Sequence, residues 1–143
     1  MKNFAIKENH LYGKTFKRGK CSVGRYTAVY VLRDLAAEKI KRANPEKKYL
    51  NRLGLSVTKK VGGAVVRNRA KRIIRAAYDI HKADLKTGFL IVISARSSIV
   101  GRTSVEIAED LHYSFDKLSM FRGQKNNDRS GKTNNTNKNE GLA

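Results

Sequence analysis

RLGLSVTKKVGGAVVRNRAKRIIR, residues 52–75, is the stretch from which the fold of this chain can be read. Its opening residues, Arg52 to Thr58, alternate. Leu53, Leu55 and Val57 fall on one side and Gly54, Ser56 and Thr58 on the other, the period of a strand with one buried face. Lys59-Lys60-Val61-Gly62-Gly63 then reads as a turn, with two glycines free to take positive φ. From Ala64 to Ile80 there is neither Gly nor Pro, and the spacing predicts a helix. On a wheel of about 100° per residue, Val66, Ala70, Ile73, Ile74, Ala77 and Ile80 gather into an apolar stripe. Arg67, Asn68, Lys71, Arg72 and Arg75 are expected on the opposite side. Arg69 falls at the margin, its stem packing while its guanidinium reaches water.

The charge of this region is one-sided. From Lys47 to Tyr78 there are ten Lys or Arg residues and no Asp or Glu. An ordinary solvated helix face would place acidic residues at i,i+4 to relieve repulsion among the cations, and here there is none. Cations left unrelieved in this way point to a polyanion, whose condensed counterions they would displace. The whole chain agrees, with a net charge of +19 over 143 residues. Its length suits one domain with a modest core. The single cysteine, Cys21, excludes an internal disulfide or a cysteine-based zinc site. No apolar run reaches the roughly 20 residues that span a bilayer, and Met1 to Glu8 carry no signal-peptide core. A cytoplasmic protein with no membrane partner is expected.

Outward from this stretch, Asn9 to Gly19 reads as a short helix, with Asn9 as N-cap and Gly19 just past the end. Leu11, Tyr12, Thr15 and Phe16 share one side of it. Arg25 to Arg33 reads as a strand, with Tyr26, Ala28, Tyr30 and Leu32 on one face and Thr27, Val29 and Val31 on the other. Residues 34–49 form a connection holding a helical turn or two, ended by Asn44-Pro45. Phe89 to Ala95 is continuously apolar and β-branched, as in a central strand buried on both faces. Arg96 at its end could add a phosphate contact. Thr103 and Glu106 have capping-box spacing, and a helix over 104–121 follows with Val105, Ala108, Leu111, His112, Phe115 and Leu118 inward. Its acidic residues Glu106, Glu109, Asp110 and Asp116 are expected outward. The domain runs over 1–122; residues 123–143 are polar, nearly without apolar side chains, and expected to be disordered.

The stretch Gly54-Leu55-Ser56-Val57-Thr58-Lys59-Lys60-Val61-Gly62, then Ala64-Val65, Arg67-Asn68-Arg69, Lys71-Arg72 and Arg75, resembles the signature block of the bacterial ribonuclease P protein family. In that family it reads G-L-S-V-S-K-K-x-G-x-A-V-x-R-N-R-x-K-R-x-x-R, so that Thr58 for Ser is the one departure, and the hydroxyl is kept. The resemblance implies an α+β fold: a two-layer sandwich of a mostly four-stranded sheet with helices, like the ribosomal-protein domain 2-like fold. It also implies a left-handed βαβ crossover from the signature strand to Phe89–Ala95, against the general preference for right-handed ones. Lys59, Lys60, Arg67, Asn68, Arg69, Lys71, Arg72 and Arg75 would bind the catalytic RNA. Phe16 and Gly19 match the family's F-x-x-G, and Arg25 its arginine six residues beyond. That alignment places Tyr12, Phe16, Arg25 and Tyr30 in a cleft for the 5′ leader of precursor tRNA, where aromatic rings can stack on bases. A dimeric holoenzyme is compatible with the resemblance and is not decided by the residues.

Catalytic constellations are missing from the sequence. His10, His81 and His112 have no metal-ligand spacing, and no D-x-D or E-x-D grouping of the kind that holds two metal ions is present. These residues read poorly as a self-sufficient nuclease. The resemblance reconciles this with a ribonuclease: the RNA cleaves, and Mg2+ is held by the RNA subunit and substrate. A ribosomal protein would share the charge and size but has no reason to carry the signature run. A duplex-DNA binder could use the basic helix, yet no partner helix precedes it at helix-turn-helix spacing.

Overall fold

The computed structural model of the chain describes residues 4–43 and 51–124. In chain order the elements are β1 (Phe4–Ala5), α1 (Asn9–Arg18), β2 (Lys20–Val23), β3 (Thr27–Arg33), α2 (Ala37–Ala43), β4 (Arg52–Ser56), α3 (Ala64–His81), β5 (Phe89–Ala95) and α4 (Ser104–Lys117). Short 3-10 turns lie at Lys82–Asp84 and Ser97–Ile99. The sheet has the order β1-β4-β5-β3-β2. Four strands make up its body, and the two-residue β1, not foreseen from sequence, adds a fifth at the edge beside β4. β4 and β5 are adjacent and parallel, joined through α3, while β3 is antiparallel to both β5 and β2.

The two faces of the sheet bury unequal cores. On one face Val29, Val31, Leu53, Ile91 and Ile93 meet Ala70, Ile74, Ala77 and Tyr78 of α3 and Ile107, Leu111 and Phe115 of α4. On the other, Ile6, Leu90 and Val92 are covered by Leu11 and Tyr12 of α1 beside Tyr30 and Leu32. The sandwich of sheet against α3 and α4 therefore carries α1 as a smaller lid on its second face. β5 is the central strand, with Leu90 to Ile93 at most 2% exposed, as its unbroken apolar run requires.

Several local expectations are corrected. Tyr78, and not Ile80, completes the buried stripe of α3. At about 100° per residue Tyr78 lies roughly 40° from Ile74, whereas Ile80 lies roughly 120° away and is exposed. Glu8 occupies the cap of α1, so Asn9 is its first helical residue. Gly19 has an ordinary φ of −72°. What demands glycine there is space: a Cβ would stand 2.5 Å from the Thr15 carbonyl oxygen and 2.8 Å from that of Val31. Of the turn glycines only Gly62 takes a positive φ, 152°. Val61, assigned to the turn, is buried in the main core. On α4, Val105 and His112 are exposed, Ile107 is buried instead, and Asp110 faces inward. The end of the 34–49 connection and residues 125–143 of the tail lie outside the described residues. Gln124 is still part of the domain, accepting from Phe121 N–H at 2.9 Å and donating to Asp116 at 3.0 Å.

The capping box of α4 forms as its spacing predicts, Glu106 N–H donating to Thr103 and Thr103 N–H to Glu106. The other end closes with Ser119 N–H on the Asp116 carbonyl and Met120 N–H on that of Phe115, a Schellman pattern. Ser119 holds φ at 55° in it, the left-handed region that costs a side-chain-bearing residue about 1–2 kcal/mol. Ser119→Gly is expected to raise stability by about 0.5–1 kcal/mol, since the relieved strain outweighs the added chain entropy. A shift of the urea midpoint to lower concentration would show that serine is favoured there for another reason.

Candidate nucleic-acid interface

α3 and the turn before it make one continuous cationic surface. Lys59, Lys60, Asn68, Arg69, Arg72 and Arg75 are exposed; Arg67 and Lys71 are half-buried. Arg67 stands roughly 20° from Ile74 on the wheel, so it flanks the packed stripe and does not lie opposite to it as its charge suggested. Its Nε is buried and has no hydrogen-bond partner among the described residues. Leaving such a donor unsatisfied costs about 1–3 kcal/mol. Among the described residues no carboxylate pairs with any of these cations.

The start of α3 adds to this field. Gly63 caps it without a side chain, and no acidic residue stands in its first turn. The first N–H groups of α3 therefore have no side-chain cap, and the positive end of the helix dipole falls in the same short segment as Lys60 and Arg67, an arrangement that favours a phosphate. Arg52, the first cation of the block, is used differently. Its guanidinium grips Asp34 with Nε–Oδ2 of 2.7 Å and Nη2–Oδ1 of 2.8 Å, and reaches Glu8 at 3.5 Å. Burial alone would push the Asp34 carboxyl up, but hydrogen bonds from Arg52 and the Ala36 N–H, with the Arg52 charge, hold it below its ordinary value.

A second surface lies on the α1 face. Phe16 and Tyr30 meet edge to face, ring centroids 4.8 Å apart at 80°, with Phe16 39% exposed. Tyr12 lies against the backbone of β4: a Cβ at Gly54 would fall 2.7 Å from its ring. Gly54 is thus the seat of an aromatic ring, and the face of β4 read as polar is covered. Burial, and then the neighbouring Cys21, push the Tyr30 hydroxyl up to about 12, so it stays neutral near pH 7. Cys21 sits directly across from it in the β2–β3 ladder.

The structure brings Tyr12, Phe16 and Tyr30 together, and Lys59, Lys60 and the α3 residues together. Arg25 joins neither group. It occupies the β2–β3 turn, lining a pocket with Tyr26, Glu106, Glu109 and Tyr113 on the α4 side. Its N–H donates to Asp110 at 2.7 Å, and the same carboxylate accepts from Tyr26 N–H, Thr27 N–H and the Thr27 hydroxyl. Arg96 donates to the Gly24 carbonyl at 2.6 Å, which ties it to that turn. His81 and His112 come together, ring centroids 5.7 Å apart, and His81 Nε2 lies 2.8 Å from the Ala108 carbonyl oxygen. His10 lies on α1, apart from both.

Asp34, Asn51 and Asp110 escaped the sequence reading as structural anchors. Asn51 bridges the Lys86 carbonyl and the Phe89 N–H at 2.7 and 2.9 Å, fastening β4 to the start of β5. A signal for Asp110 existed: it stands three residues after Ile107 and four before Ser114, both buried, on the inward side of the helix. Among the described residues no helix is long and apolar enough to cross a membrane.

Comparison with known proteins gives a consistent result. A family model described as Ribonuclease P matches residues 1–119. The ribonuclease P protein component of Exiguobacterium sibiricum is 32% identical over 123 residues, 86% of this chain and 97% of that one. That of Bacillus cereus is 35% identical over 124 residues, covering 87% and 98%. The solved structure of the Staphylococcus aureus RNase P protein is similar with a TM-score of 0.67 and 28% identity, covering 85% of this chain and all of that one.

Proposed function

Because this chain belongs to the ribonuclease P protein family and so serves as a protein subunit of that ribonucleoprotein endoribonuclease, we propose that it binds the catalytic RNA together with the 5′ leader of precursor tRNA. In this role it promotes endonucleolytic removal of the leader, giving the mature tRNA 5′ end. The observation that carries the reading is the cationic face of α3 and Lys59-Lys60, unpaired with carboxylates among the described residues and running up to a bare helix N-terminus. Arg67, Arg69, Lys71, Arg72 and Arg75 contact phosphates of the catalytic RNA, and Asn68 bonds a phosphate, a 2′-hydroxyl or a base edge. The Tyr12, Phe16 and Tyr30 surface stacks leader bases. Arg25, in the β2–β3 turn beside α4, is not assigned to the leader surface.

Bond chemistry belongs to the RNA in this proposal. Among the described residues three carboxylates are already engaged within the protein: Asp34 by Arg52, Asp110 by the β2–β3 turn and Glu106 by its capping box. Magnesium, in this proposal, is held by the RNA subunit and the substrate. In this proposal the protein acts in the cytoplasm.

The test is precursor-tRNA cleavage at low magnesium with a bacterial ribonuclease P RNA, this protein, and both together. Cleavage at the mature 5′ end only with both supports the reading. Cleavage by the protein alone would assign it an active site, and tight RNA binding without stimulation would favour a ribosomal role. Within this scheme Phe16→Ala, at an exposed ring, is expected to lower the preference for precursor over mature tRNA about tenfold, from the ~1–3 kcal/mol of one stacked base. Full preference in a folded variant would remove Phe16 from the leader surface.

A further inference from the structure

One residue of the signature strand has no side chain where the others in its row across the sheet do. Gly54 of β4 pairs with Val92 of β5, Val92 with Tyr30 of β3, and Tyr30 with Cys21 of β2. Residues paired across strands point to the same face, and this row lies on the face that α1 covers. Tyr12 and Tyr30 both pack there, on the cluster of Ile6, Leu90 and Val92. At about 4.8 Å between strands, Gly54 and Tyr30 stand roughly 10 Å apart along the row. The two seats of the aromatic surface are therefore in register: Tyr12 of α1 rests at Gly54, and Phe16, one turn later, meets Tyr30.

What fills the space at Gly54 is the outer end of one ring. A Cβ there would fall 2.7 Å from Cε1 and Cζ of Tyr12 and 2.8 Å from its hydroxyl oxygen, and these are the three nearest atoms. Ordinary contacts between carbon atoms lie at about 3.5–4.0 Å, so a methyl group would push the ring back by about 1 Å. The ring can yield, since it is half-buried and turns about two side-chain bonds. The strand beneath it cannot, being held in the ladder with β5 and by the Ile6 N–H on the Leu53 carbonyl. Gly19 is the contrasting case, where a Cβ would meet two backbone carbonyls. A contact ring held about 1 Å from its productive place loses much of its worth in binding. We propose that Gly54 is a positioning residue for leader binding: having no side chain, it admits the Tyr12 ring to the depth at which Tyr12, with Phe16 and Tyr30, meets leader bases. The inference rests on the leader reading of that aromatic surface and adds to it a buried residue that acts through its neighbour.

The experiment is a double-mutant cycle of Gly54→Ala, Tyr12→Ala and the two together, in holoenzyme reconstituted with a bacterial ribonuclease P RNA. It reads the ratio of affinities for precursor and mature tRNA, with affinity for the catalytic RNA and the urea midpoint of the protein measured alongside. Tyr12→Ala is expected to lower the ratio about tenfold, the worth of one stacked base, and Gly54→Ala about fivefold. Affinity for the catalytic RNA, carried by α3, should stay at the wild-type value in Gly54→Ala. In the double variant the added methyl has no ring to displace, so the loss should equal that of Tyr12→Ala alone. A full ratio in Gly54→Ala overturns the proposal. So do losses that multiply to about fiftyfold in the double variant, which would show that Gly54 acts on something other than Tyr12. A Gly54→Ala protein whose midpoint and catalytic-RNA affinity fall together overturns it as well, because Gly54 would then serve the fold as a whole. Failure of the leader reading itself is distinguishable. Wild-type holoenzyme would then bind precursor and mature tRNA equally well.

Discussion

Asp110→Ala is expected to destabilise the fold by about 3 kcal/mol or more, the largest single-site effect in this chain outside the apolar core. The Asp110 carboxylate receives Arg25, Tyr26 and Thr27 N–H groups and the Thr27 hydroxyl at 2.7 to 3.1 Å. It is 8% exposed, and Thr27 is fully buried, so alanine leaves donors that water cannot reach without opening the turn. Each buried group so stranded costs about 1–3 kcal/mol. A side chain at Gly24 would occupy the same space as the carboxylate, so the turn and α4 are built as one unit. Urea unfolding reads the change as a lower midpoint at constant slope. Glu109→Ala, one residue earlier and exposed, is the control and should move stability by no more than about 0.5 kcal/mol. Equal shifts for the two variants would show that Asp110 does not hold the turn.

The second large effect concerns binding. Arg69→Gln, Arg72→Gln and Arg75→Gln together remove three exposed charges from α3 without touching its buried side. If each meets one phosphate of the catalytic RNA, the slope of log affinity against log salt falls by about 0.9 per contact, or about 2.7 in all. Between about 50 and 200 mM salt the wild-type affinity then changes about 40-fold more than that of the variant. Titration of labelled ribonuclease P RNA at several salt concentrations measures this directly. An unchanged slope in a folded variant would mean that RNA binds elsewhere, and the functional reading of α3 would fall with it.

Much of the fold was legible along the chain because its signals are local. A strand repeats every two residues and a helix every 3.6, so β5, β3 and α3 announce themselves by spacing alone. The capping box of Thr103 and Glu106 is a three-residue pattern and formed as spaced. The cationic face was equally legible, since seven charges without a carboxylate among them constitute a composition, not a conformation. Where spacing misled, the helix was right and its rotation was not: Ile80 and Arg67 each lie on the side opposite to that assigned from polarity.

What the sequence determined by itself is the set of elements and the chemistry of the partner: a polyanion, met by one helix and the turn before it. Tertiary structure alone decided which polar residues are tied inward. Asp34 meets Arg52 across 18 residues, and Asp110 meets Thr27 across 83. It also seated Tyr12 on Gly54, placed Phe16 on Tyr30 and separated Arg25 from both. The physical reason is range. Periodicity records the geometry of neighbours within a turn or a strand, whereas these contacts depend on strand register and on which helix covers which face. Those are settled only when apolar surfaces distant in the chain are buried against one another.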